Sequence, residues 1–108
     1  MNSKNEASNT RKSRTGTGTV LFPLGTVGAT PGAIDLLDRA SMNANTFIIR
    51  HQCGDFGSVC NDDDARANME AITHGSRILS SYNIGKERLW IITEADRSST
   101  TLLLPAEY

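Results

Sequence analysis

The sequence has few cysteines, few aromatic residues and no long apolar run. Only Cys53 and Cys60 are present among 108 residues, which excludes the disulfide-dense scaffolds of small secreted domains. No stretch approaches the roughly 18 apolar residues that a membrane-spanning helix needs, and the first residues lack the apolar region of a secretory signal. These absences predict a cytoplasmic protein with free thiols and no membrane partner.

Motifs for nucleotide cofactors are also missing. The chain has no G-x-x-x-x-G-K-[ST] phosphate-binding loop, and the glycines of "GTGTVLFPLG" do not lie between a strand and a helix. The glycines of "GTVGATPGA" precede a predicted helix start, where an anion could bind, although a turn with a Thr-Pro cap explains them more simply. The sequence therefore predicts no cofactor.

The charge is unevenly distributed along a chain of single-domain length. Residues 1–18 contain four basic side chains and one acidic side chain, a net +3, which leaves −4 for residues 19–108 out of a total of −1. Since residues 1–18 have almost no apolar side chains, they are predicted to form a disordered basic leader with at most weak affinity for nucleic acid. Residues 19–108 are predicted to form one folded domain.

Two short helices are predicted after an extended segment at residues 18–30, in which Val20 and Phe22 alternate with Leu21. In "TPGAIDLLDRA" the threonine suits an N-cap and the proline suits the first helical position. The second helix is predicted to begin at Asn43 or Asn45 and to end at Gly54, although "FIIRH" is also compatible with a buried strand.

Residues 61–75 carry the strongest helix signals. Asn61 is a predicted N-cap, and the three aspartates at 62–64 suit the positive end of the helix dipole. Gly75 is predicted to end this third helix. The inward-facing stripe is predicted to be Ala65, Met69 and Ile72.

The last third of the chain reads as β-structure. "SRILSSYNI" and "ERLWIITEAD" flank Gly85-Lys86, a hairpin turn, and a third strand ends at Pro105. Leu79 and Trp90 are predicted to be the main apolar side chains of the first two strands. The element order β-α-α(-α)-β-β-β predicts a single α+β domain, with a C-terminal antiparallel meander packed on helices.

The spacing of the cysteines and histidines bears on two kinds of site, a zinc site and a cysteine–histidine nucleophile. His51, Cys53, Cys60 and His74 form H-x-C-x6-C-x13-H, which matches no common zinc spacing. A nucleophile made from either cysteine and His74 would need a proximity that spacing does not show, although a thiolate at Cys60 would be favoured just before a helix start. We predict no metal site and no catalytic residue.

The most distinctive polar segment is "TEADRSST", residues 93–100, between two predicted strands. Its polar groups either hydrogen-bond to one another within a turn or contact a partner. In the second case Trp90 and Tyr82 would add aromatic surface of the kind found at protein interfaces. The candidate partner-binding residues are Trp90, Glu94, Asp96, Arg97 and Ser98.

Three motifs carry a resemblance to a known family: "LFPLGTVGATPGA" at residues 21–33, "RHQCGDFG" at 50–57 and "LWIITEADRSSTTLLLPAEY" at 89–108. Together they resemble a family of short "plasmid-related" proteins of bacterial plasmids, phages and integrated elements. The resemblance covers nearly all of residues 20–108. The chain departs from the family pattern in its long leader and in Cys60, where the pattern has an aliphatic residue. The resemblance implies an accessory or anti-defence role in a mobile element.

The motif at residues 50–57 is a second candidate site. Its members are Arg50, His51, Gly54, Asp55, Phe56 and Gly57. Asp55 and His51 either have a role specific to the family or fix the geometry of a turn, with Asp55 bonding nearby backbone amides. The residues alone do not separate these two interpretations.

Two functions remain open. One is a non-enzymatic module that binds a host or element protein, with a homodimer also possible through an exposed strand edge. The other is a small ribonuclease-like toxin in which Arg77, Tyr82, Arg88 and Arg97 act on RNA. The charge of −4 on residues 19–108 opposes affinity for RNA, so we favour the module.

Overall fold

The computed structural model describes residues 19–58 and 62–108, without the side chains of residues 62–65. The predicted leader at 1–18, Cys60 and the predicted cap Asn61 lie outside the described residues. The described elements follow the order predicted from the sequence, and the α+β class is confirmed. They are β1 (Thr26–Ala29), α1 (Pro31–Arg39), α2 (Ala44–Gln52), α3 (Asp62–His74), β2 (Ile78–Ile84), β3 (Glu87–Thr93), β4 (Ser99–Leu103) and a 3-10 turn (Pro105–Glu107).

The described strands form one sheet in the order β1-β4-β3-β2. The predicted C-terminal meander is confirmed, because β2, β3 and β4 pair antiparallel in succession. β1 pairs parallel to β4, with Thr26 opposite Ser99. This first strand begins later than predicted: Val20 is exposed, and Phe22 is buried in the segment that leads to β1.

The helix starts follow their sequence signals. The Thr30 hydroxyl accepts a hydrogen bond from the Ala33 amide (3.2 Å), and the Asn43 side chain accepts one from the Asn45 amide (2.8 Å). α2 is a helix and not the alternative strand. Within residues 19–58 and 62–108, no helix combines the length and the apolar character needed to cross a membrane.

The main core lies between α1, α2 and one face of the sheet. Leu79 and Trp90, predicted to be the main apolar side chains of β2 and β3, lie on the opposite face and are only partly buried. They do so because side chains alternate along a strand and the neighbouring Ile78 and Leu89 face the helices. The buried members of this core are Ala33, Leu36, Leu37, Phe47, Tyr82, Ile84, Leu89, Ile91 and Leu102.

The outer edge of β2 is covered by polar contacts. The Asn68 side chain on α3 donates to the Leu79 carbonyl (2.9 Å) and accepts from the Leu79 amide (3.4 Å). Two residues further along, the Ser81 amide donates to the Phe56 carbonyl (3.1 Å) and the Ser58 amide donates to the Ser81 carbonyl (2.6 Å). These contacts satisfy backbone groups that would otherwise offer a template for another strand.

The role of Asn68 corrects one position of the predicted inward face of α3, while Ile72 packs against the cluster of Phe22, Phe56 and Ile78 as predicted. Met69, predicted to face inward, is 46% exposed, whereas Asn68 and Ala71 are buried. Asn68 faces inward because the edge of β2 presents the amide and the carbonyl of Leu79. A side-chain amide can hydrogen-bond to both groups at once, whereas a methionine side chain cannot.

Replacing Asn68 by alanine should leave the Leu79 amide and carbonyl without these partners. We expect Asn68→Ala to lower the free energy of unfolding by about 1–3 kcal/mol, measured by urea denaturation. Asn83→Ala, at an exposed position of the same strand, is the matched control and should change stability by less than about 0.5 kcal/mol. Equal effects of the two substitutions would contradict the proposed cover of the strand edge.

Candidate functional site

The motif at residues 50–57 lies where the end of α2 crosses to the edge of β2. The Arg50 side chain donates to the Asp55 carboxylate (2.6 Å), and the Asp55 amide donates back to the Arg50 carbonyl (2.8 Å). The Arg50 guanidinium also lies over the Tyr82 ring, 4.6 Å from its centroid. The Tyr82 hydroxyl donates to the Asp55 carbonyl (2.7 Å). Arg50 and Asp55 thus fix this turn to the sheet.

The last glycine of the motif is required by a close backbone approach. Gly57 has a φ of +72°, and a Cβ atom there would lie 2.1 Å from the Ser81 carbonyl oxygen. The residue before it, Phe56, is buried and belongs to a second apolar cluster with Phe22 and Ile78. Gly54, with a φ of +94°, makes the preceding turn. Phe56 and Gly57 of the motif therefore determine how the turn packs against β2.

His51 is completely buried and bonded on both sides of its ring. Its Nδ1 lies 2.6 Å from the Ser80 hydroxyl on β2, and its Nε2 lies 2.9 Å from the Thr93 hydroxyl on β3. The Thr93 and Thr100 hydroxyls are 2.7 Å apart, and the Thr100 hydroxyl donates to the Leu24 carbonyl (2.8 Å). We call this series, from Ser80 to Leu24, the histidine–hydroxyl chain.

The direction of these bonds fixes the protonation of the ring. The single Thr100 hydroxyl proton is committed to the Leu24 carbonyl, so Thr93 must donate to Thr100. Thr93 then has only acceptor capacity left for His51, which must carry its proton on Nε2. Burial lowers the pKa of His51 from 6.5 to about 4, so the imidazole is neutral near pH 7 and its Nδ1 accepts from Ser80.

A serine hydroxyl next to an imidazole is also the geometry of a nucleophile and its base. Here Ser80 and His51 are each 0% exposed, so no substrate reaches either group in this arrangement. Both ring nitrogens are engaged by hydroxyls, and the described residues contain no cluster of ligands suited to a metal ion. His74 is exposed and Cys53 is buried, while Cys60 lies outside the described residues.

The predicted contact turn, residues 94–98, is held by Arg97. Its guanidinium donates to four backbone carbonyls, those of Ser76 (2.7 Å), Ala71 (2.9 Å), Glu94 (3.0 Å) and Ala95 (3.1 Å). Two of these acceptors, Ala71 and Ser76, lie in the last turn of α3 and just beyond it, so the guanidinium joins the turn to the end of that helix. The Arg97 side chain therefore acts within the fold.

The backbone of the same turn is held in an uncommon conformation. Arg97 has a φ of +60°, which a residue with a Cβ adopts only where its surroundings impose it. The Ser98 amide donates to the Asp96 carboxylate (3.0 Å), and hydrogen bonds from Ser98 lower the pKa of Asp96. Asp96 and Ser98 themselves are exposed. The turn is thus rigid and presents polar groups outward.

Trp90 belongs to a cluster beside this turn. Its ring packs edge-on against that of Tyr108, with centroids 5.7 Å apart. Arg77 donates to the Tyr108 hydroxyl (2.7 Å) and forms an ion pair with Glu94 (3.3 Å). We call these four residues the aromatic–arginine surface. Tyr82, the predicted aromatic neighbour, is buried on the opposite face of the sheet.

Sequence reasoning missed Tyr108 and Arg77 as members of this surface. Arg77 comes just before β2 and Tyr108 follows the 3-10 turn, so their meeting depends on how the last residues fold back over β3. The terminal "EY" of the third motif was the one available signal. Comparison of the chain with protein-family models, curated proteins and solved structures found no match.

The burial of His51 predicts a pH dependence of stability. The pKa of His51 is about 4 in the folded state, whereas its ordinary value is 6.5. Between these two pH values the unfolded chain therefore binds more protons than the folded chain. The free energy of unfolding should therefore fall as the pH decreases through 6.5 towards 4, by roughly 3 kcal/mol in total, and His51 should contribute almost no slope above about pH 7.5. Urea denaturation across pH 5–7 measures the upper part of this change.

The second histidine is the matched control. His74→Gln should retain the pH dependence of the free energy of unfolding between pH 5 and 6.5. His51→Gln should be less stable at pH 7 and should lose this pH dependence. A slope that persists in His51→Gln would show that another group titrates in this window.

Proposed function

We propose that this protein is a non-enzymatic protein-binding module whose partner contacts the aromatic–arginine surface and the adjoining turn at residues 94–98. The observation that carries the proposal is the contiguity of Arg77, Trp90 and Tyr108. Arginine, tryptophan and tyrosine are the residue types that most often dominate the binding energy of protein interfaces. Here Tyr108 contacts both Arg77 and Trp90, and Trp90 lies on the face of the sheet opposite the main core.

The exposed parts of this surface suit a contact with another protein. Tyr108 is 72% exposed, and the side chains of Arg77 and Glu94 are 51% and 41% exposed. Trp90 is partly buried beneath them. An aromatic centre bordered by a charged pair resembles the arrangement of an apolar interface core with a polar rim.

Rigidity supports the same proposal. The turn at residues 94–98 is held by the four carbonyl contacts of Arg97, and Glu94 within it pairs with Arg77. A partner that binds a preorganised surface loses less conformational entropy than one that must order a mobile loop. Arg97 would then support binding by shaping the turn rather than by touching the partner.

The described geometry gives less support to the ribonuclease alternative. Tyr82 is 1% exposed and donates to the Asp55 carbonyl, so it is not available as an acid or base. Arg97 is committed to backbone carbonyls, and Arg77 to Glu94 and Tyr108. Of the four residues considered for RNA chemistry, Arg88 alone has no such commitment described.

The resemblance to plasmid-related proteins supports a role for this module in a bacterial mobile element. Proteins of mobile elements meet host proteins that act on foreign DNA or on plasmid maintenance. An acidic binding module could cover the basic surface of such a protein, and charge complementarity would speed the encounter. An accessory or anti-defence role in the cytoplasm is thus part of the proposal.

The double variant Arg77→Ala/Tyr108→Ala tests the surface directly. If the partner contacts it, capture from a nuclease-treated bacterial lysate should fall about tenfold or more, since truncating interface hot spots costs about 2 kcal/mol or more each. Capture is measured by quantitative mass spectrometry of proteins that copurify with the tagged chain. Both side chains are largely exposed, so the fold should be retained.

The matched control is Lys86→Ala/Ile49→Ala. It also removes one cationic and one apolar side chain, from the exposed hairpin turn and from an exposed position of α2. Capture should be unchanged. Equal losses in the two double variants, or capture that disappears with nuclease, would argue against the proposal.

A further inference from the structure

The last five residues cross from β4 to the aromatic–arginine surface as a short strap, defined here as Leu104–Tyr108. We infer that Glu107 is a positioning residue: its carboxylate, bound at the start of α1, fixes the strap and thereby holds Tyr108 against Trp90. This inference rests on the proposed function for its consequence, since it assigns the residue that assembles the proposed binding surface. The fixing of the strap can be measured without any partner.

The Glu107 carboxylate accepts three hydrogen bonds. The Thr30 hydroxyl and the Leu104 amide (2.9 Å) donate to one oxygen, and the Gly32 amide donates to the other (3.1 Å). The bond from Thr30, together with those from the two amides, lowers the pKa of Glu107. An exposed carboxylate with three donors, two of them from a segment 75 and 77 residues away, is an anchoring contact.

The start of α1 is built to receive this carboxylate. The helix has no acidic residue in its first turn, and Ala33 occupies the third helical position, where a glutamate often completes a capping box. Glu107 supplies the missing negative charge from the other end of the domain. The Thr30 hydroxyl can act twice because it accepts from the Ala33 amide while it donates to Glu107.

Gly32 makes room for the carboxylate. A Cβ atom at this position would lie 2.7 Å from the Glu107 carboxyl atoms. The helical conformation of residue 32 is open to alanine, which is a better helix former than glycine. Gly32→Ala should therefore leave α1 intact and displace the side chain of Glu107.

Without this anchor the strap has few contacts of its own. Its 3-10 turn is closed by the Glu107 amide on the Leu104 carbonyl (2.8 Å) and the Tyr108 amide on the Pro105 carbonyl (3.2 Å), and such short turns are weak alone. At the start of the strap Leu104 packs against the main core, and at its end Tyr108 contacts Arg77 and Trp90. Because Glu107 is the neighbour of Tyr108 in the chain, its release should let Tyr108 leave Trp90.

Trp90 is the only tryptophan of the chain, so it reports this contact without ambiguity. In the free, full-length protein we expect NMR cross-relaxation between the Trp90 and Tyr108 rings to be lost in both Glu107→Gln and Gly32→Ala. Acrylamide should also quench Trp90 fluorescence more strongly in both variants. Two different substitutions guard against an effect peculiar to either one.

Each variant has a matched control. Glu70→Gln removes an exposed glutamate of α3, and Gly28→Ala adds a methyl group at a glycine whose Cβ would meet nothing within 4 Å. Both should retain the ring contact. Cross-relaxation that persists in Glu107→Gln and Gly32→Ala would overturn the inference, as would its loss in the controls.

The capture experiment separates this inference from the proposed function. If the ring contact and partner capture are both lost in the Glu107 and Gly32 variants, the positioning role is supported. If the contact is lost but capture is unchanged, the positioning role of Glu107 is supported and only its consequence for binding is refuted. If Arg77→Ala/Tyr108→Ala does not reduce capture, the proposed surface is wrong, whatever the strap does.

Discussion

The fold depends on the burial of one neutral imidazole. His51 joins α2 to β2 through Ser80 and to β3 through Thr93, and Thr100 extends the connection to the carbonyl of Leu24 in the segment before β1. A buried polar group without its partner costs on the order of 1–3 kcal/mol. Each member of the histidine–hydroxyl chain therefore depends on the others, and together they fix α2, the meander and the entry segment relative to one another.

This arrangement divides the sheet into two faces with different uses. The face towards the helices carries the core and the histidine–hydroxyl chain, and the motif at residues 50–57 completes it by fixing the turn to β2. The opposite face carries Trp90, with Tyr108 laid across it by the strap. The motif with the most chemically suggestive residues makes the contacts that hold its turn to the sheet, and the proposed contact surface contains ordinary surface side chains. Reactive residue types in a short segment do not by themselves indicate a reactive site.

Local signals in the sequence predicted the elements well. Thr30, Asn43 and Gly75 begin or end helices as expected, because capping needs only residues close in the chain. Most of the features that were missed depend on distant partners. Arg97 shapes its turn through carbonyls of α3 and its neighbours, and Tyr108 reaches Trp90 only because the strap is anchored at α1. The parallel pairing of β1 with β4 is likewise a contact across most of the domain, which periodicity cannot predict.

The most direct test of this account is the protonation state of His51 in the intact protein. Long-range nitrogen–proton NMR spectra of the imidazole distinguish the two neutral forms from the imidazolium. The account predicts a neutral ring protonated on Nε2 at pH 7, which remains neutral on acidification to about pH 5. A ring protonated on Nδ1, or an imidazolium at pH 7, would contradict the direction of the hydroxyl chain and the packing inferred from it.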